Sequence, residues 1–459
     1  MMKKLNIAVA ALGTMFLAAG CSKYVDIKTQ GSLIPGQLVN YRYLLNNTGS
    51  FETGGYLPDI ASADVDIVDN DQQVGASSST YTLYFRNCYN WQSPIYENSL
   101  DRDRDWEAYY STIYNSNVII AEVPGVADGT AEEKAALVAE ALTHRADAYL
   151  NLVNEYGKPY KAATASADLG VPLLLIPTLD QSLSRASVAE VYSRIEADLK
   201  TAALSLPRAT QYNTIPGKAA AWSLLARMYL LMGNYPAAGL YADSALSLKS
   251  TLLDLTTGTV PLRRSNPETI LGKIAGTSFS WAPTTLRLSQ ELLDLLGPAD
   301  MRYQLFTADA ASMLGAGYTG RFFSYERINY ENRSIGTSVP EMMLIKAESL
   351  ARAGNAGAAM DLVNALRQKR FQPADYVALS AADANDAIVK VVQERRREFF
   401  CRFLPWFDQR RLKDDPLFTK TYTRTWQGVT YTLEPSGNRY TFPIAQYYIK
   451  LNPELQQNP

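Results

Sequence analysis

The sequence predicts a mostly α-helical protein in which helix pairs form a scaffold for long irregular loops and a few short strands. Several segments combine a residue that starts a helix with an apolar repeat of helical period. Two stretches, 220–246 and 343–367, also match each other along their length. The segments between these elements are rich in Gly, Ser, Thr, Asn and aromatic residues and show no sustained period.

Residues 1–20 have the composition of an export signal. Two lysines near the start precede an uncharged, mostly apolar run from Ile7 to Ala19, and small residues lead to Cys21. This pattern is typical of a bacterial lipobox, so we expect Cys21 to be lipidated and to become the mature N-terminus; an ordinary signal peptide is the alternative. Several acyl chains on one cysteine would give a lasting anchor. The apolar run at 171–177 is too short to cross a bilayer.

Three helices are predicted from their start signals. Thr130–Glu133 is a capping box, in which each side chain bonds the backbone N–H of the other residue, and its helix is expected to reach Asn154. Ser187–Glu190 is a second box, and its helix is expected to end before Pro207 because proline disrupts a helix interior. A third helix is expected over 383–399. All three carry apolar residues at helical spacing, which predicts one buried face each.

The two matching stretches each predict a helix, a tight turn and a second helix. A glycine can take the left-handed conformation that ends the first helix, and the asparagine after it can cap the second. Small alanines let the helices pack closely, as in the tetratricopeptide unit that the stretches resemble. A long insertion separates them, so a plain superhelical array is not expected. The equivalent positions include Ala226 and Ala347, Gly233 and Gly354, and Asn234 and Asn355.

Residues 50–105 and the insertion between the helix pairs are expected to be long loops with short strands at most. They contain runs of small, polar and aromatic residues, such as 77–99, 277–289 and 315–334. Long ordered loops on a rigid scaffold are where binding sites usually lie. We therefore expect the ligand site in these segments.

The charged and rare residues argue against several functions. With 44 basic and 46 acidic side chains the net charge is −2, whereas nucleic-acid binding would need a basic face. His144 is the one histidine, so a zinc site with several histidines is excluded and a Ser-His-Asp mechanism would depend on this residue alone. We expect His144 to be structural and no residue to be catalytic. Cys88 and Cys401 could pair after export or remain free buried thiols.

The acidic run 64–71 is a candidate for calcium. Its aspartates could ligate the ion through carboxylate oxygens. The run lacks the glycine and the distal glutamate of an EF-hand loop. A solvated loop is therefore the favoured interpretation, and no other cofactor is expected.

The C-terminal region carries specific motifs. Residues 394–398 have the sequence ERRRE, and RFLPWFDQRR follows at 402–411. This combination resembles the signature of the SusD/RagB family, in which a helix ending in E-R-R-x-E leads to R-W-x-D-x-R-R. The closing segment 440–459 and the first-half motifs around Arg145 and at 170–173 also resemble that family. The resemblance therefore spans nearly all of the mature chain.

The resemblance implies a SusD-like fold and a lipid-anchored protein of the outer membrane that faces the cell exterior. Such proteins bind nutrient oligomers, most often glycans, and deliver them to a SusC-like TonB-dependent transporter. Oligopeptide binding is the alternative, and a structural subunit without a ligand comes after it. Pro405 departs from the family pattern, which leaves the local turn open. The implied division is a signal peptide at 1–20, an N-terminal region at 21–215, a helix pair with a linker at 216–270, and a C-terminal region at 271–459, with 21–459 as one compact unit.

The resemblance also separates structural residues from ligand-binding ones. The arginines and carboxylates of 394–411 are expected to form buried ion pairs that hold the C-terminal helices together. Ligand contact is expected instead from exposed aromatic side chains in the variable loops, because the C–H faces of sugars stack on flat rings. The candidate residues are Tyr81, Asn90, Trp91 and Tyr96 in one cluster, and Trp281, Tyr318, Phe323 and Tyr325 in another.

Overall fold

The computed structural model describes residues 36–68, 83–178, 180–276, 286–325 and 331–458. These residues form many α-helices and only short strands, which confirms the predicted fold class. No helix among them is both long enough and apolar enough to span a membrane. The predicted signal peptide and Cys21 lie outside the described residues.

The α-helices are α1 Leu38–Leu45, α2 Thr48–Phe51, α3 Leu57–Ala61, α4 Leu83–Tyr89, α5 Arg104–Glu122, α6 Ala131–Tyr156, α7 Val188–Ser205, α8 Lys218–Leu231, α9 Tyr235–Leu246, α10 Gln290–Leu296, α11 Met301–Phe306, α12 Ala310–Leu314, α13 Val339–Arg352, α14 Ala356–Arg367, α15 Ala384–Phe399, α16 Leu404–Leu412 and α17 Gln446–Leu451.

The helical scaffold is a row of neighbouring helices in the order α5, α6, α7, α8, α9, α13, α14 and α15. The three helices predicted from their start signals are present in this row as α6, α7 and α15. Thr130 and Glu133 form the capping box of α6, with backbone–side-chain hydrogen bonds of 2.8 and 3.2 Å. Ser187 and Glu190 form the same box at α7, which ends at Ser205, before the proline. Local capping chemistry therefore determines where the long helices start.

The two tetratricopeptide-type pairs, α8–α9 and α13–α14, are neighbours in space although a long insertion separates them in sequence. Helix α9 packs directly on α13. The contact is close at Gly239, where a Cβ atom would lie 2.4 Å from the Ser349 hydroxyl. The insertion therefore leaves and rejoins the scaffold without breaking the stack of helix pairs.

The turns inside these pairs agree with the prediction except at one position. Gly233 and Gly354 have φ angles of 73° and 88°, the left-handed conformation that glycine adopts without strain. The Asn234 side chain caps α9 by accepting a hydrogen bond from the Ala237 N–H at 3.2 Å. The Asn355 side chain makes no capping hydrogen bond, so the cap expected there was wrong.

The segments expected to be loops contain several short helices, and this expectation was wrong. Helices α2, α3 and α4 lie within 50–105 or overlap its start, and α10, α11 and α12 lie in the insertion. Helix α3 has five residues, all of them buried. A five-residue helix makes less than two turns, so it is too short to show a 3.6-residue period in sequence. Packing against the rest of the protein, rather than a local sequence signal, stabilises such helices.

The strands form two-stranded antiparallel sheets, and the first of these joins distant parts of the chain. In the first sheet Val65 pairs with Leu288, and Ile67 pairs with Leu286. The second strand of this sheet also contacts the strand 321–323. The pairs are β1 Val65–Ile67 with β4 Leu286–Leu288, β2 Leu169–Pro172 with β3 Arg185–Ser187, β5 Thr307–Asp309 with β6 Arg321–Phe323, and β7 Tyr422–Trp426 with β8 Val429–Leu433.

The C-terminal segment packs back onto the N-terminal half. Trp406 is fully buried, and its ring lies 5.6 Å from the ring centres of both Tyr440 and Phe442. The backbone N–H of Phe442 donates to the Glu155 carbonyl of α6 at 2.8 Å. Pro405 lies in the first turn of α16, where its missing N–H costs no helical hydrogen bond. The departure from the family motif is therefore compatible with a helix start.

Candidate functional site

The described members of the first predicted aromatic cluster are buried. Trp91 is 3% exposed, its indole N–H donates to the Ala61 carbonyl at 2.8 Å, and its ring lies over the Arg424 guanidinium. Asn90 and Tyr96 are buried as well. The expectation of exposed side chains was therefore wrong for these three residues, because tertiary contacts occupy their surfaces. Tyr81 lies outside the described residues.

The second predicted cluster contains both buried and partly exposed residues. Phe323 and Tyr325 are buried, and their rings lie 6.2 Å apart. The Arg402 guanidinium lies 5.2 Å from the Tyr325 ring centre and adds a cation–π contact. The expected exposure was wrong for both rings. Tyr318 is partly exposed, and Trp281 lies outside the described residues.

The first sheet brings together the ends of the segments that carry the remaining candidates. Ile67 directly precedes the segment with Tyr81, and it pairs with Leu286, which directly follows the segment with Trp281. The neighbouring Arg287 donates a hydrogen bond to the carbonyl of Thr319, the residue after Tyr318. Residues that are far apart in sequence therefore meet at one end of β1 and β4.

The charged motif at 394–411 forms buried ion pairs, as expected. Glu398 accepts hydrogen bonds from Arg302 at 2.8 Å and from Arg370 at 2.8 Å. Burial alone would raise the pKa of Glu398, but the Arg370 and Arg302 charges lower it to about 2. Arg395 pairs with Asp408 at 2.9 Å. These groups link α11, α15 and α16 with the segment that follows α14, so their role is structural.

The acidic run offers no calcium site among the described residues. The Asp64 carboxylate is buried and pairs with Arg396 at 2.6 Å, and Asp66 accepts a hydrogen bond from the Tyr89 hydroxyl at 2.5 Å. Asp69 and Asp71 lie outside the described part of the chain. Within that part, no group of three or more His, Cys, Asp or Glu side chains has the geometry to hold a metal ion.

The histidine and the cysteines are interior residues. The His144 ring is buried, and its Nδ1 lies 2.9 Å from the Lys273 ammonium. Burial and that positive charge hold the pKa of His144 well below its usual value, so the ring is neutral at pH 7. Cys88 and Cys401 are both buried and free. Of the two alternatives for the cysteines, free thiols are correct.

Three buried carboxyl groups were not foreseen from the sequence. Asp103 caps α5, and its side chain accepts a hydrogen bond from the Tyr156 hydroxyl at 2.7 Å. Asp105 accepts the Tyr56 N–H at 2.7 Å, while Glu155 is fully buried. Burial, followed by the charges of neighbouring carboxylates, raises the pKa of Asp105 to about 8 and that of Glu155 well above its ordinary value. Asp105 and Glu155 therefore keep their protons to a higher pH than exposed carboxyl groups do. No sequence pattern indicates this property.

A groove of about 610 Å³ lies between α10, α15, α16 and β7. Val389 and Val392 form part of an apolar wall, and the partly exposed rings of Phe418 and Tyr422 line the groove. No sequence pattern indicated this groove, because its walls come from four separate elements. Strand alternation would not have placed Tyr422 at a surface, because it shares the face of β7 that carries the buried Arg424 and Trp426.

Comparison with known proteins agrees with this architecture. The family model described as "Starch-binding associating with outer membrane" matches residues 40–230, and the SusD family model matches residues 339–459. No curated protein matches the chain at a significant level. The fold and the two matches define a helical scaffold protein of the SusD type. The chain belongs to the SusD/RagB family.

Solved structures share the fold at low sequence identity. A SusD superfamily protein from Bacteroides thetaiotaomicron is 20% identical, with 92% of this chain and 100% of that chain covered and a TM-score of 0.74. One from Bacteroides fragilis is 19% identical, with 92% and 100% covered and a TM-score of 0.73. A laminarin-binding SusD-like protein is 19% identical, with 92% and 98% covered and a TM-score of 0.63.

Proposed function

We propose that this protein is a cell-surface lipoprotein that captures glycan oligomers and delivers them to a SusC-like TonB-dependent transporter. Lipid on Cys21 would hold it at the outer membrane, facing the cell exterior. Membership of the SusD/RagB family supports this proposal, as does the structural similarity to a laminarin-binding protein. Binding without catalysis is also consistent with His144, which is buried and neutral and so cannot reach a bound substrate as a base.

The observation that carries the proposal is the meeting of three segments at one end of the first sheet. Pairing of Ile67 with Leu286 brings together the flanks of the segments with Tyr81 and Trp281. The Arg287 hydrogen bond to Thr319 holds the partly exposed Tyr318 turn beside them. A surface that presents several aromatic side chains can stack on several sugar rings at once. We propose Tyr81, Trp281 and Tyr318 as the ligand-contacting residues.

Isothermal titration calorimetry tests this site. Laminarihexaose, maltohexaose and a mixture of oligopeptides would each be titrated into the protein and into its Tyr81→Ala and Trp281→Ala variants. Both variants should weaken glycan binding by about tenfold or more, the loss expected for a stacked ring. Tyr43→Ala is the matched control, since Tyr43 is an exposed tyrosine on α1. A response to peptides alone would establish the oligopeptide alternative, and no response to any ligand would favour a structural subunit.

The anchor and the partner need separate measurements. Palmitate labelling of cells should mark the protein and should be lost in the Cys21→Ser variant. Detergent extracts of outer membranes should yield the protein together with a SusC-like TonB-dependent transporter. Recovery of the protein without that transporter, under conditions that keep the membrane complexes intact, would contradict the delivery step.

A further inference from the structure

The groove between α10, α15, α16 and β7 lies at the opposite end of the first sheet from Ile67 and Leu286. Asp64, which lines the groove, directly precedes β1, and Glu291 is the third residue after β4. The Ser289 N–H donates to the Asp64 carbonyl at 2.8 Å. The segments with Tyr81 and Trp281 leave the sheet at its other end, beside Ile67 and Leu286. The sheet therefore has two different surfaces at its two ends.

The size and lining of the groove suit a small molecule. Its volume of about 610 Å³ lies within the range of about 300–1,000 Å³ that is usual for ligand pockets. Phe418 and Tyr422 present partly exposed rings, and Leu417 is an exposed apolar residue beside them. Flat apolar surfaces of this kind bind the C–H faces of a ligand ring.

Most charged side chains of the groove are paired within the protein. Arg396 contacts Asp64 and Glu291, both at 2.6 Å, and Lys420 lies 3.2 Å from Glu291. Asp408 is held by two arginines of the C-terminal motif. Because these charges are already compensated within the protein, an anion would gain no free partner among them. The exposed Asp294 carboxylate also lines the groove and accepts a hydrogen bond from the Gln290 side chain at 2.7 Å. The groove therefore favours a ligand with hydroxyl donors over an anionic one.

Polar atoms behind the same wall lack partners. The side-chain amide nitrogen of Gln409, one guanidinium nitrogen of Arg396 and one carboxylate oxygen of Asp64 are buried and make no hydrogen bond within the described residues. Buried polar atoms are nearly always satisfied by protein, water or ligand. These atoms have almost no accessible surface, so a ligand in the groove would instead bond the exposed polar side chains that line it, such as Gln393 and Asp294. A hydroxyl group can both donate and accept, so it suits such a mixed set.

We propose that this groove is a second binding site, for a neutral, hydroxyl-rich ligand, namely a short uncharged oligosaccharide. One sugar ring packs on Phe418 and Tyr422, and its hydroxyl groups bond the polar wall. The inference rests on the proposed function, because it assigns the same ligand class to another surface. It predicts two independent sites on one chain.

Calorimetry with laminarihexaose and maltohexaose on four variants tests the second site. Phe418→Ala and Tyr422→Ala should remove one of two binding events, or weaken it about tenfold, and leave the event that Trp281→Ala abolishes. Tyr422→Phe should retain the ring and most of the affinity. Circular dichroism of each variant checks that the β7–β8 hairpin remains folded, and Phe418, which lies outside that hairpin, gives an independent reading. An oligogalacturonate, which is acidic, should not compete at the groove.

The outcomes separate the two proposals. Glycan binding that responds to Trp281→Ala but not to Phe418→Ala or Tyr422→Ala would overturn the second site and leave the proposed function intact. Binding of oligopeptides or of the acidic sugar in the groove would also overturn it. Failure of the wild-type protein to bind either neutral glycan would overturn both proposals.

Discussion

The guanidinium of Arg424 lies 4.2 Å from the ring centre of Trp91. The same guanidinium lies 4.0 Å from the centre of the Tyr89 ring, and it donates hydrogen bonds to the Ile60 and Ser62 carbonyls. One buried side chain of the β7–β8 hairpin therefore joins two aromatic rings and the backbone of the N-terminal half. This contact explains why a tryptophan that was expected to bind ligand is a core residue.

Replacing Arg424 by methionine should destabilise the protein strongly. Methionine fills similar space but leaves the buried Ile60, Ser62 and Tyr89 carbonyls without their donor. We expect the free energy of unfolding to fall by about 2–4 kcal/mol, the cost of several buried polar groups left unpaired. Urea denaturation followed by circular dichroism measures it. Arg439→Met, at an exposed arginine, is the control, and an equal loss in both variants would contradict the structural role.

Trp91→Phe should affect stability and not affinity. The variant loses the indole hydrogen bond to the Ala61 carbonyl and part of the contact with Arg424. A loss of about 1–2 kcal/mol in unfolding free energy is expected, with glycan dissociation constants unchanged below the melting temperature. Parallel thermal melts and calorimetric titrations give both quantities. Weaker glycan binding by a fully folded Trp91→Phe protein would restore the original ligand-contact hypothesis.

The buried carboxyl cluster predicts that the protein loses stability as the pH rises. The ordinary pKa of an aspartate is 3.8, and the pKa of Asp105 in the folded protein is about 8. The folded state therefore binds the proton more tightly than the unfolded state does. Between these values unfolding releases that proton, and stability falls with increasing pH by up to about 1.4 kcal/mol per pH unit. Asp105→Asn does not titrate and can still accept the Tyr56 and Leu57 N–H groups.

Urea denaturation of wild type and Asp105→Asn from pH 5 to pH 8 measures this effect. The variant should show a shallower fall and should be the more stable protein near pH 8. Asp361→Asn, at an exposed aspartate on α14, should follow the wild-type curve. A parallel pH dependence in all three proteins would show that Asp105 does not take up the proton.

Glu398 should have the opposite pH dependence. Its pKa is lowered from 4.5 to about 2 in the folded protein, so its contribution is complete above pH 4.5 and is lost as the pH falls towards 2. Glu398→Gln removes one carboxylate partner from Arg302 and Arg370, which keep Asp300, Glu394 and Glu268, and should cost about 1.5–3 kcal/mol at pH 7, the range for hydrogen bonds to charged groups. Denaturation curves at pH 7 and pH 3 compare the variant with Glu132→Gln, at an exposed glutamate of α6. The difference between the two variants should shrink at pH 3, and a constant difference would refute the ion-pair explanation.

The two buried thiols should be unreactive until the protein unfolds. Burial raises the pKa of Cys88 and of Cys401 well above that of a free thiol, so little nucleophilic thiolate is present at pH 8. A Cys21→Ser protein treated with a thiol reagent should show no fast reaction when folded and two reacting groups in urea. Absence of both groups in urea without reductant would mean that a disulfide forms.

Signals that act within a few residues were predictable from the amino-acid sequence. The capping boxes at Thr130 and Ser187 and the glycine turns at Gly233 and Gly354 depend on neighbouring backbone groups, and the structure confirms them. The arginine–carboxylate motif at 394–411 was likewise assigned correctly to structure, through its resemblance to the SusD/RagB family. The short helix α3 was missed, because its stability comes from burial rather than from a local period.

Which aromatic side chains are buried was decided only by the tertiary structure. Trp91 and Tyr325 lie in polar, irregular stretches that suggest exposure, yet Arg424 and Arg402 pack over their rings from distant parts of the chain. The groove lined by Phe418 and the buried proton site at Asp105 have the same origin. The environment of a side chain depends on contacts between elements far apart in sequence, and no pattern along the chain records those contacts.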